Sequence, residues 1–118
     1  MKISEIAEIL SARIMTSGTS TDTEVHTACG SDMMSDVLAY VKNQAVLLTG
    51  LNNPQVIRTA EMMDMECVVF VRGKIPNEDL IKMAQDKGIV LMTTEKTMFL
   101  ACGVLYKKGL VEGEGAWG

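Results

Sequence analysis

Three short, unbroken apolar runs punctuate the chain: residues 45–49 (AVLLT), 67–71 (CVVFV) and 89–92 (IVLM). Each is too short for a helix and has a glycine at or close to one end. Continuous rather than alternating hydrophobicity marks strands covered on both faces, as in a parallel sheet. Between the runs, apolar residues recur at helical spacing: Val56, Ile57, Ala60 and Met63, then Leu80, Ile81 and Ala84. A last helix carries Met98, Ala101, Cys102 and Leu105, and Gly109 is its expected C-terminal stop. Every gap between strands is long enough for a helical crossover, expected to be right-handed.

Upstream, Ile3, Ile6, Ala7, Leu10 and Ile14 share one face of a first helix, with Glu5, Glu8 and Ser11 opposite. The polar stretch 16–24 (TSGTSTDTE) breaks the pattern. Val25, Thr27 and Cys29 then alternate with His26 and Ala28, predicting a short strand that ends at Gly30. Ser31 is placed to cap the next helix, with Asp32 in its first turn and Met34, Val37, Leu38 and Val41 on its apolar face. The pattern predicts an α/β fold of three layers, a mostly parallel sheet flanked by helices. Residues 1–109 form a single domain, and 110–118 a glycine-rich tail carrying Trp117, which is either loose or an anchor on the domain or a partner.

Composition narrows the class of function. With 118 residues, the chain is large enough for one core without a metal or disulfide. Its net charge of −4 argues against nucleic-acid and anionic-membrane partners. No apolar run approaches the ~20 residues of a membrane helix, and MKISEIAEIL lacks the apolar segment of a signal peptide. The three cysteines are scattered and odd in number, so a reduced, cytoplasmic protein is expected. Ten methionines against five aromatics point to an adaptable core.

In a parallel sheet, ligands gather outside the carboxyl ends of the strands, beside helix N-termini that favour anions. Four segments share that edge. Gly30-Ser31-Asp32 is explained by capping alone. Gly50-Leu51-Asn52-Asn53-Pro54 combines a glycine permitting close approach with two amide side chains, and equally reads as a turn with an Asn cap. Arg72-Gly73-Lys74 sets two cations about a glycine, either an anion site or two solvated side chains. In Thr93-Thr94-Glu95-Lys96-Thr97, Thr94 is the expected cap, while Thr93 or Thr97 offers a hydroxyl to a phosphate or ribose. The candidate ligand site is thus Gly50, Asn52, Asn53, Arg72, Gly73, Lys74, Thr94 and Thr97.

A catalytic set does not assemble: GxSxG, HExxH and the P-loop pattern are missing, and His26 sits in a predicted strand. A non-catalytic regulatory or interaction domain is therefore expected, with an enzyme acting on a phosphorylated metabolite as the remote alternative. No cofactor is expected beyond a nucleotide-like ligand. Cys29, Cys67 and Cys102 are the one alternative metal set, joined across a dimer, although an iron–sulfur cluster normally takes four thiolates.

The order of segments resembles the DRTGG domain, a family related to the N-terminal domain of HPr kinase/phosphorylase. Gly50 matches the glycine of the family's first loop, where Leu51-Asn52 replaces Asp-Arg. Arg72-Gly73-Lys74 stands in place of Thr-Gly-Gly. Pro76 and Glu78 match a helix start, Gly88-Ile89 a strand entry, and Thr94, Thr97 and Phe99 the last loop and helix. The first helix and Met34-Ser35-Asp36-Val37 also resemble the family's pattern. The resemblance implies an accessory, often homodimeric domain sensing a small anionic ligand. Stand-alone versions occur near iron-only hydrogenase subunits, so the alternative it implies is an assembly or accessory protein of a hydrogenase or another redox complex.

Overall fold

The computed structural model describes residues 1–40 and 44–111. Its elements are α1 (Ile3–Leu10), β1 (Arg13–Ile14), β2 (Thr27–Gly30), α2 (Met34–Tyr40), β3 (Ala45–Thr49), α3 (Pro54–Met62), β4 (Cys67–Phe70), α4 (Glu78–Asp86), β5 (Val90–Thr93) and α5 (Met98–Lys107). The strands form one sheet in the order β1-β5-β4-β3-β2. Strands β2 to β5 are parallel, and β1 adds to the β5 edge antiparallel through Arg13↔Thr93 and Ile14↔Met92.

Every residue of β3, β4 and β5 is buried, as continuous apolar runs require. Their side chains alternate between two cores. Leu47, Val68, Phe70 and Leu91 join Val37, Ile57, Ala60 and Leu80 of α2, α3 and α4 on one face. Val46, Leu48, Val69, Val90 and Met92 meet Ile3, Ile6 and Leu10 of α1 and Ala101 and Leu105 of α5 on the other. This is the expected three-layer architecture. Its asymmetry follows from strand order: successive parallel strands step in one direction, and crossovers of constant hand place α2, α3 and α4 on a single face. The opposite face is left to α1 and α5.

Several local expectations are corrected. Ile14 does not extend α1: Ser11, with φ 50°, ends the helix, and Ile14 is a partly exposed residue of β1. His26 lies before β2 and is exposed. Leu38 is exposed at 43%, because Met34 and Val37 fill the contact of α2 with its core. Val41 and Trp117 lie outside the described residues. Gly109 follows the last turn of α5 with φ 107°, as a helix stop should. Leu110 then packs into the α1/α5 core, and Val111 bridges Thr27. No helix among the described residues is long and apolar enough to cross a membrane.

Leu47 is fully buried in the centre of the sheet. Leu47→Ala should lower unfolding free energy by about 2–5 kcal/mol in a urea titration, whereas Leu38→Ala should change it by less than about 0.5 kcal/mol.

Candidate functional site

The carboxyl ends of the four parallel strands deliver Gly30–Asp32, Gly50–Asn53, Arg72–Ile75 and Thr94–Thr97 to one edge. After β2, β3 and β4 the chain leaves towards the α2–α4 face, but after β5 it leaves towards α5 on the other. A crevice opens where neighbouring loops part in this way, here between β4 and β5. A hollow of about 370 Å³ lies there, lined by Ser11, Arg13, Gly73, Ile75, Thr93, Thr94 and Glu95.

Hydrogen bonds stitch its base. Arg72 N–H donates to the Lys96 carbonyl (2.8 Å), Gly73 N–H to the Thr94 carbonyl (2.8 Å) and Lys74 N–H to Val71 (3.2 Å). Thr93 Oγ1 donates to the Lys74 carbonyl at 2.6 Å. Arg72 and Gly73 are both left-handed, φ 56° and 69°, which turns the chain sharply back. Glycine is needed at the second position: a Cβ on Gly73 would lie 2.8 Å from the Glu95 carboxylate. Because the amides of residues 72–74 are already bonded, an anion here must be met by side chains. The head groups of Arg72 and Lys74 have no ion pair or hydrogen bond among the described residues.

The Arg72 side chain spans from the β4 loop to the β3 loop, its Nη2 lying 3.0 Å from where a Cβ of Gly50 would be. Asp32 reaches the same point from the β2 loop, with its carboxylate oxygens 3.4 and 3.6 Å away. Asp32 Oδ1 accepts hydrogen bonds from Gly50 N–H (2.6 Å) and Thr49 Oγ1 (3.1 Å). It therefore ties two strand ends together instead of sitting in the first turn of α2. Ser31 Oγ accepts from Met33 N–H before that helix begins, forming a turn that frees Asp32 to point at β3. Sequence reasoning missed Asp32, Thr49 and Glu95. The available signal was that Asp32 lies two residues beyond a strand end on the same edge as Gly50.

The other candidates divide by what their side chains already do. Asn52 Nδ2 donates to the Ile75 carbonyl (2.9 Å), binding the β3 loop to the β4 loop. Asn53 caps α3 by accepting from Gln55 N–H, and Thr97 caps α5 by accepting from Leu100 N–H. Thr94 is not the expected cap: it is 2% exposed, donates to the Leu10 carbonyl (2.8 Å) and accepts from Lys96 N–H. The structure brings Gly50, Asn52, Arg72, Gly73 and Lys74 into adjoining loops and uses Asn53, Thr94 and Thr97 as scaffold.

The thiols do not converge. Cys29 packs on the α2–α4 face, while Cys67 and Cys102 belong to the other core. Among the described residues no group of three or more His, Cys, Asp or Glu is arranged to hold a metal ion. Burial raises the pKa of both Cys67 and Cys102.

The family pattern described as the DRTGG domain matches residues 5–105. The chain belongs to the DRTGG domain family. The matched range contains the Gly50–Asn52 turn after β3 and the Arg72-Gly73-Lys74 turn after β4, the two loops that Arg72 spans. Among solved structures, this DRTGG chain is similar to the CBS and DRTGG domains of the regulatory region of Clostridium perfringens pyrophosphatase, in complex with the activator diadenosine tetraphosphate. The TM-score is 0.73 at 15% identity, over 88% of this chain and 45% of that one, so the chain spans less than half of that region. No match is found among curated proteins.

Two outcomes are expected for the domain. Asp32→Ala removes the acceptor from Gly50 N–H and the Thr49 hydroxyl and should lower stability by about 1 kcal/mol in denaturant unfolding. In the native chain Cys67 should resist iodoacetamide until the protein unfolds. Stability should fall as pH rises past the ordinary thiol value of 9.0, because the unfolded chain loses that proton first.

Proposed function

We propose that this DRTGG domain is a non-catalytic regulatory module that senses a small, nucleotide-like anion at the β4/β5 edge, working as a homodimer. One observation carries the reading: Arg72 and Lys74 flank Gly73, which lines the β4/β5 hollow, and their charged heads are unpaired among the described residues, in a chain of net charge −4. Desolvated pairing of such cations with phosphate oxygens is favourable and geometrically selective, above all for the planar fork of Arg. Asn52 holds the β3 loop against the β4 loop, and Asp32 holds it against the β2 loop, so the cations work from a rigid base. The pyrophosphatase region with the same fold binds a polyphosphate dinucleotide activator, which supports the chemical class of ligand.

A thermal-shift series with inorganic pyrophosphate, ATP and diadenosine tetraphosphate tests the reading. A ligand at one hundred times its Kd adds about 2.7 kcal/mol, which raises the midpoint by several degrees or more in a domain of this size. Arg72→Ala with Lys74→Ala should abolish that shift and leave the unliganded unfolding free energy within about 0.5 kcal/mol of the parent. A flat series with all three probes overturns the sensor reading in favour of an assembly module for an iron-only hydrogenase or another redox complex.

A further inference from the structure

Between β5 and α5 the chain has four residues, Thr94 to Thr97, and three of them are held by hydrogen bonds to other parts of the fold or to the helix. The Thr94 carbonyl accepts from Gly73 N–H and its hydroxyl donates to Leu10, the Lys96 carbonyl accepts from Arg72 N–H, and Thr97 caps α5. Glu95 is clamped between them, yet its own carboxylate has no hydrogen bond or ion pair among the described residues. That carboxylate is turned back onto the β4 loop, with Oε2 and Oε1 lying 2.8 and 3.3 Å from where a Cβ of Gly73 would be. With the backbone pinned on both sides, only side-chain torsions stay free. An unused acceptor is thus held ready in the wall of the β4/β5 hollow.

The surroundings define what such a group can take. Arg13 lines the same hollow from β1, and Arg72 and Lys74 flank Gly73; none of the three forms an ion pair among the described residues. These cations outnumber the carboxylates of Glu95 and Asp32, so an anion is drawn to this edge and an ammonium group is not. A phosphate settling directly on Gly73, however, would bring like charge against Glu95. An ionised carboxylate only accepts hydrogen bonds. A neutral hydroxyl is therefore the partner that satisfies Glu95 without opposing the cations, and two adjacent hydroxyls match its two oxygens. The rest of the lining suits a sugar. Thr93 and Thr94 already donate their hydroxyl protons to the Lys74 and Leu10 carbonyls, and Ile75 offers a half-exposed apolar side chain. The hollow's volume of about 370 Å³ stands at the lower end of the ~300–1,000 Å³ of small-molecule sites.

We propose that Glu95 selects the ligand: its carboxylate accepts the hydroxyls of a vicinal diol, so that the hollow takes phosphate esters of a ribose-like sugar in preference to bare phosphate. Dinucleotide-binding folds hold a ribose hydroxyl on an acidic side chain by the same chemistry. This selectivity rests on the anion-sensing reading, which supplies the phosphate, and narrows it to a ligand carrying donors beside its negative charge.

Isothermal titration calorimetry of the full chain with ATP, 2′,3′-dideoxy-ATP, ribose 5-phosphate and inorganic pyrophosphate tests it. ATP should bind at least about tenfold more tightly than its dideoxy analogue, the effect of hydrogen bonds to a charged acceptor. Ribose 5-phosphate binding as tightly as ATP assigns the ligand to the free sugar phosphates; weaker binding assigns it to the nucleotides. Glu95→Gln keeps the shape and removes the charge. It should shrink the preference for ATP over dideoxy-ATP several-fold and tighten pyrophosphate binding. Far-UV circular dichroism should stay unchanged, because the replaced carboxylate is exposed and unbonded. Equal binding of ATP and dideoxy-ATP by the parent overturns the selectivity and leaves the anion-sensing reading standing. So does a Glu95→Gln chain with unaltered preference and unaltered pyrophosphate affinity. Failure of every phosphate probe to bind either chain overturns both.

Discussion

The apolar ladder shared by β3, β4 and β5 is the constraint from which the rest of the structure follows. Its residues are buried on both faces, so each face demands a layer of helices, and parallel pairing demands that some of those helices be crossovers. Strand order that never reverses between β2 and β5 puts all the crossovers on one side. The other face is covered by α1, from before the parallel strands, and α5, from after them. The β4/β5 crevice is a by-product of this arrangement. It lies where the last crossover loop and the loop into α5 depart in opposite directions.

The crevice is rigid for a reason separate from its shape. Its loops spend their backbone donors on one another: Arg72 on Lys96, Gly73 on Thr94, Gly50 on Asp32. A phosphate-binding loop of the usual kind keeps such amides free for the ligand. For the proposed anion, discrimination would fall to side-chain charge and reach, which favours graded, salt-sensitive binding over the tight cradle that phosphoryl-transfer chemistry needs. Asp32 limits the site further, because its carboxylate stands beside Gly50, where the Arg72 side chain also ends.

The fold was legible where one physical signal dominates. The runs at 45–49, 67–71 and 89–92 each became a strand within a residue of the expected ends, since nothing competes with burial there. Legibility failed where two local solutions are nearly equal. Ile14 continues the helical spacing of α1, but a left-handed Ser11 and pairing with Met92 turn it into a strand. Thr94 and Thr97 both suit an N-cap, and only the tertiary contact of Thr94 with Leu10 decides between them. At the site, glycines and cations were readable because parallel topology fixes which loops share an edge. Asp32 was hidden because its bonds cross between strands, and spacing along the chain carries no record of such contacts.

The two unsatisfied features of the surface are joined by a short piece of chain. Glu95 borders the β4/β5 hollow, Lys96 accepts the Arg72 amide, and Thr97 caps the helix whose next residues, Met98 and Phe99, open an apolar hollow. Charge is therefore left uncommitted at one end of this loop and apolar surface at the other, while the loop itself is held by Thr94 beneath it. A domain selected only for stability would bury Phe99 or replace it, and would pair or shed the Arg72 charge. Both stand within a few residues of each other at the carboxyl edge of the sheet, whereas the N-terminal edge gathers the Glu24, Asp64 and Glu66 carboxylates, which is why the proposed anion site is placed at the former.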